Sequence, residues 1–217
     1  MEKKHQVHNL IILDESGSMS SIKELIISGF NELVQTMKAI EKDFPEQEHF
    51  ISFVTFNGMG QKIMHFMEPA AKLEMIDGSK YQPNYSTPLY DAMGVSMTKL
   101  KHSLDNQTDY NVLVTVLTDG EENASKEYNG VAIKKMVEEL KHAGWTFTYI
   151  GTDHDVESFA VNISINNVMN FRKNSQDINR MFSDEKAARA GYSSKIRNNM
   201  PTEDDFYKKP DNPKTKS

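Results

Sequence analysis

Along this chain of 217 residues, short β-branched runs alternate with stretches whose apolar residues recur at helical spacing. This alternation is what most restricts the fold. Six runs read as strands: VHNLIIL from Val7, HFISFVTFN from His49, QKIMHFME from Gln61, YNVLVTVLTDG from Tyr110, WTFTYIG from Trp145 and NNVMNF from Asn166. Between the first two, Leu25, Ile26, Phe30, Leu33, Val34, Met37 and Ile40 mark one face of a helix. Ser21 and Glu24 have the spacing of a capping box at its start. Further helices are predicted over about 89–104, opened by Pro88, and over about 130–142, 156–161 and 175–196. Only GMG separates the second and third strands, so these two form an antiparallel hairpin. The other strands return through helices, which favours parallel pairing. The expected class is therefore α/β: a three-layer, doubly wound, mostly parallel six-stranded sheet with one antiparallel strand. The Tyr110 run is the most hydrophobic and is expected at the centre, covered on both faces.

The length suits one domain with a tail. We place the domain at 1–197 and a polar segment at 198–217, where Pro201, Pro210 and Pro213 interrupt an aperiodic stretch expected to be disordered and dispensable for folding. A formal net charge of −6 argues against a nucleic-acid binder. The absence of cysteine excludes disulfides and thiolate metal sites and fits a reducing compartment. MEKKHQVHNLIIL lacks the cleavage site of a signal peptide, and no apolar run approaches membrane-span length. A soluble cytoplasmic protein, with no membrane or nucleic-acid partner, is the expectation.

In open α/β sheets, ligands bind beyond the carboxyl ends of the strands. The first strand ends in DESGS, with Asp14, Ser16 and Ser18 on alternate positions. The central strand ends in LTDGEEN, with Asp119 at the turn, and YSTPLYDA places Thr87 in a loop just before a helix. If these two strands are neighbours, the five oxygen-bearing side chains meet at one edge. Oxygen donors of mixed charge suit a hard cation such as Mg²⁺, with Mn²⁺ or Ca²⁺ as alternatives, whereas zinc prefers His or Cys. Two carboxylates and three hydroxyls leave a six-coordinate ion short of ligands, so water or a partner's carboxylate must complete its shell. Simpler readings stand beside this one. DESGS also reads as a polar turn that caps a helix, Ser86 is an alternative donor to Thr87, and Glu15, Glu121 and Glu122 read as a solvated acidic loop. In TDHDVES, Asp155 reads as a helix cap, and Asp153 with His154 as a weaker second metal site.

D-x-S-x-S after the first strand, Thr87 before a helix and T-D-G after the central strand together resemble the von Willebrand factor A domain and its metal-ion-dependent adhesion site. The resemblance covers about residues 7–195. It implies the strand order 3-2-1-4-5-6, the metal ligands Asp14, Ser16, Ser18, Thr87 and Asp119, and a partner protein whose acidic side chain completes the metal shell. It also implies coupling between the site and the last helix. The stretch GWTFTYIGTDHDVESFA resembles stand-alone bacterial and phage members. Three functions follow as candidates: a metal-dependent protein-binding module, a subunit of an ATPase-, chelatase- or stress- and defence-type machine, and a Mg²⁺-dependent phosphatase. The last is disfavoured because Ser16 stands where a second carboxylate would serve as acid or base. The expectation is a binding module and not an enzyme.

Overall fold

A computed structural model describes residues 4–208. Its strands are β1 (His5–Asp14), β2 (Gln47–Asn57), β3 (Gly60–Pro69), β4 (Tyr110–Thr118), β5 (Trp145–Gly151) and β6 (Asn167–Asn170). They alternate with helices α1 (Lys23–Asp43), α2 (Leu89–Leu104), α3 (Gly130–His142), α4 (Val156–Asn162) and α5 (Ser175–Arg197), apart from the β2–β3 hairpin. One sheet contains all six strands in the order β3-β2-β1-β4-β5-β6. β3 is antiparallel to β2 and every other pairing is parallel. The hairpin closes between Asn57 and Gly60, and Gly60 takes a φ of 121°, which glycine alone adopts without strain.

Successive side chains of a strand point to opposite faces, and the apolar residues sort accordingly. Leu10, Ile12, Val112, Val114, Val116, Phe147 and Tyr149 face α2, α3 and α4, whereas Ile11, Leu13, Ile51, Phe53 and Leu117 face α1 and α5. Burying each such side chain contributes about 1.5–3 kcal/mol, so the sheet is held from both sides. Close packing of α1 on α5 requires a glycine: a Cβ on Gly29 would lie 2.0 Å from the Phe182 ring.

The face under α5 also carries a buried polar cluster. The Arg189 guanidinium donates to Asn9 Oδ1 at 2.8 Å and to Thr115 Oγ1 at 2.7 Å, and lies 2.8 Å from Glu185 Oε1. The helical period alone does not distinguish these buried charged residues from solvated ones.

Two expectations are revised. Ser21 does not cap a helix: residues Gly17–Ile22 form a 3-10 helix that runs into α1, so Ser21 already lies inside helical backbone, and α1 begins at Lys23 without a side-chain cap. The boundary at 198 also moves. Residues 198–208 pack on the domain, where Phe206 is only 5% exposed against Val7, Leu113 and Tyr192. Thr146 Oγ1 donates to Thr202 O at 3.1 Å, Asn167 Nδ2 to Glu203 O at 2.9 Å, and Phe206 N–H to Asn167 Oδ1 at 2.9 Å. These sheet side chains supply the hydrogen bonds that an aperiodic segment cannot make within itself. The remainder of the expected tail, 209–217, lies outside the described residues.

Candidate functional site at the carboxyl edge of the sheet

Register brings the site together. β1 pairs with β4 such that Leu13 stands opposite Leu117, so the two strands end level and the turns after Asp14 and Thr118 share one edge. Asp14 is the last residue of β1 and is fully buried. Its Oδ1 accepts the Ser16 N–H at 2.7 Å and its Oδ2 the Thr118 hydroxyl at 2.6 Å. The Ser16 and Ser18 hydroxyl oxygens lie 3.0 Å apart, and the Ser18 hydroxyl donates to Asp119 Oδ1 at 2.5 Å. Thr87 joins from the loop before α2. Its N–H donates to Asn123 Oδ1 at 2.9 Å and its carbonyl accepts the Asn123 N–H at 3.2 Å, which ties that loop to the turn after β4. A Cβ on Gly120 would stand 3.6 Å from Thr87 Oγ1 and 3.7 Å from Ser18 Oγ, so both hydroxyls border the same space. All five residues named from sequence therefore meet at one edge. Ser86 is exposed, and its hydroxyl is directed at Gly58 in the hairpin turn rather than into this space.

The electrostatics reflect burial. Removal from water pushes the Asp14 carboxyl up to about 6; hydrogen bonds from Thr118 and Ser16 oppose the shift, and the charge of Asp119 adds to it. Two buried carboxylates that share one sheet edge, the charge of one raising the pKa of the other, favour a cation beside them. Among the described residues no group of three or more His, Cys, Asp or Glu is arranged to hold a metal. The donors here are two carboxylates with three hydroxyls, a set whose oxygen chemistry fits a hard divalent cation.

One participant was not foreseen from the sequence. The Lys173 ammonium, from the connection between β6 and α5, lies 2.7 Å from Asp119 Oδ2 and 2.7 Å from Asp153 Oδ2. Asp119 Oδ2 is fully buried, and Lys173 faces it as a charge contact without good hydrogen-bond alignment. Burial alone would lower the Lys173 pKa, but the two carboxylates outweigh it and hold the ammonium above its ordinary value. Nothing in the local pattern FRKNSQ separates Lys173 from Arg172.

The acidic residues around the site are mostly structural, which corrects the solvated-loop reading. Glu15 is buried and accepts Gln82 N–H at 2.6 Å and Lys62 Nζ at 3.0 Å. Glu122 accepts Tyr90 N–H at 2.8 Å, at the positive end of α2, and Ser125 N–H at 2.7 Å. Glu121 is exposed as expected. Asp155 caps α4 through Ser158 N–H at 3.1 Å. Both ring nitrogens of His154 are engaged, with Thr152 O at 2.7 Å and Tyr149 Oη at 3.2 Å, which leaves neither directed to a second metal.

A family model for the von Willebrand factor type A domain matches residues 10–194. The chain belongs to this family. No curated protein matches the sequence. Solved structures share the fold at low identity. The PilB minor pilin from Streptococcus sanguinis aligns with a TM-score of 0.58 and 15% identity, over 88% of this chain and 62% of the pilin chain. The vWF domain of the type V pili tip protein Mfa5 from Porphyromonas gingivalis gives 0.57 and 10%, over 85% and 96%. The SpRpn10 VWA domain gives 0.57 and 9%, over 82% and 94%. This VWA chain thus spans nearly the full length of the isolated domains but less than two thirds of the minor pilin. Among its described residues no helix is long and apolar enough to cross a membrane.

Proposed function

We propose that this VWA domain is a divalent-cation-dependent protein-binding module. The observation that carries the reading is the convergence of Asp14, Ser16, Ser18, Thr87 and Asp119 from three separate segments onto one sheet edge. These five residues would hold Mg²⁺, with Mn²⁺ or Ca²⁺ as substitutes. When bound, the ion supplies an electrophilic centre for a carboxylate oxygen of a partner protein. The chain's own residues do the positioning. Thr118 and the Ser16 amide orient Asp14, Ser18 orients Asp119, and Asn123 fixes the Thr87 loop. VWA domains mediate protein–protein interactions, and the pilus and Rpn10 domains that share this fold are consistent with such a role. Ser16, in place of a second carboxylate near Asp14, favours binding over phosphoryl transfer. A partner of the ATPase, chelatase or defence type stays within this reading.

The test is a metal titration monitored by thermal unfolding and calorimetry. Mg²⁺ or Mn²⁺ should bind one site and raise the Tm by mass action, a stabilisation of about 2.7 kcal/mol at a hundredfold excess over Kd. Asp14→Ala should abolish the response. An unchanged response in that variant refutes the site, and no response in the wild type refutes metal dependence.

A further inference from the structure

We propose that Lys173 is a tethered cation that competes with the divalent ion for Asp119, with Asp153 as the carboxylate that retains the ammonium when the ion binds. This rests on the metal reading above and goes beyond it by assigning a role to two residues outside the five-residue donor set.

The geometry carries the inference. Both oxygens of the Asp119 carboxylate are already engaged, Oδ1 by the Ser18 hydroxyl at 2.5 Å and Oδ2 by the Lys173 ammonium at 2.7 Å. Ser18 belongs to the donor set itself, so it can stay in place as a ligand. Lys173 has no lone pair when charged and cannot act as one. A divalent ion drawing on the same carboxylate would face a like charge a few ångströms away, and the repulsion would oppose its binding.

The surroundings give the ammonium a second position. The Asp119 side chain has 0% exposure, while that of Asp153 is 56% exposed and that of Lys173 22%, so the shared cation spans from the buried edge to solvent. Asp153 adopts a φ of 62°, a left-handed conformation that non-glycine residues hold at a cost, and its carboxylate lies 2.7 Å from the ammonium. The backbone around Lys173 is pinned on both sides. Phe171 is buried with its N–H on Gly151 O at 3.1 Å, and Asn174 caps α5 through Asp177 N–H at 2.9 Å. Only the flexible four-carbon stem needs to move. Leaving Asp119 for Asp153 alone would expose the ammonium to water without depriving it of a counter-charge. The consequence is a site that is neutralised internally at low ion concentration and accepts the ion above a threshold that Lys173 sets.

The test uses the full chain, Mn²⁺ and Mg²⁺, and three variants. Lys173→Met keeps the stem and removes the charge; its Mn²⁺ affinity by calorimetry should rise about tenfold, while in EDTA its Tm should fall below wild type because Asp119 is left uncompensated. Asp153→Asn removes the second position and should weaken Mn²⁺ binding several-fold. A purely structural ion pair would not change the chemistry of Lys173 when the ion arrives, so Mg²⁺ should raise the rate at which an amine-reactive ester labels Lys173, read by peptide mass spectrometry. Equal or weaker Mn²⁺ affinity in Lys173→Met, or labelling of Lys173 that ignores Mg²⁺, overturns the proposal while leaving the metal reading intact. If Lys173→Met fails to fold, unchanged affinity in Asp153→Asn overturns it instead. Binding that persists in Asp119→Ala, or no binding in any chain, overturns the metal reading and this proposal together.

Discussion

Phe206 provides the sharpest test of how far the domain extends, because it lies beyond both the last helix and the family match. Its ring is 5% exposed, with centroids 5.9 Å from Tyr192 and 4.9 Å from Tyr207, and it closes a cluster with Val7 and Leu113 on the α5 side of the sheet. Replacing it with alanine removes a buried aromatic ring and leaves a cavity that the rigid strands β1 and β4 cannot collapse to fill. The expected loss is about 3–5 kcal/mol. At about 2–4 °C per kcal/mol for a domain of this size, the Tm should fall by roughly 6–20 °C. Truncation after Asn198 should cost at least as much, because it also removes the carbonyls of Thr202 and Glu203 that Thr146 and Asn167 hold, and the Tyr207 hydroxyl that donates to Glu185 at 2.9 Å. Trp145, the sole tryptophan and 2% exposed, sits beside Thr146 on β5 and reports unfolding by fluorescence in urea. A loss below about 1 kcal/mol for Phe206→Ala would place the segment outside the folded unit, with the docked strap contributing nothing to stability.

Three further outcomes follow from buried polar groups and backbone strain. Arg189→Met should cost about 3–5 kcal/mol by leaving Glu185 buried without its counter-charge, and the double change with Glu185→Gln should recover part of it; additive losses in that cycle would refute the pairing. His8 and His49 are held at about 4, chiefly by burial, against an ordinary value of 6.5. The unfolded chain therefore takes up these protons first, so their contribution is complete above about 6.5 and is lost as pH falls toward 4, up to about 3 kcal/mol each. Asp14, pushed up to about 6, works in the opposite sense between its unfolded and folded values and offsets part of that loss. His8→Phe preserves the stack on Phe50, whose ring centroid lies 5.1 Å away, and should flatten the acid limb of the Tm profile; an unchanged slope would contradict the assignment. Tyr85 holds a φ of 69° while 57% exposed, so Tyr85→Gly should raise stability by up to about 1 kcal/mol in urea titrations, and a net loss would show that its ring packing outweighs the backbone strain.

The strands announced themselves as short β-branched apolar runs and the longer α-helices through a repeat of 3.6, whereas the 3-10 helix at Gly17–Ile22 gave no such signal, and GMG allowed only a hairpin between β2 and β3. Asp14, Ser16 and Ser18 were legible because they sit together at the end of a strand, and Thr87 and Asp119 because each marks a strand or helix boundary where α/β sheets present ligands. These are local properties, encoded within a few residues, and the sequence carries them without help. The pairing of Lys173 with Asp119 and Asp153, the burial of Arg189 and Glu185 under α5, and the docking of Phe206 belong to a different class. A lysine in a polar loop, an ion pair on a helix of mixed composition and one phenylalanine in an aperiodic tail look the same whether solvated or buried. Their roles depend on which distant surface lies within reach. That is decided when parallel register brings the ends of β1, β4 and β5 level, and when α5 crosses the sheet and returns the chain along β6.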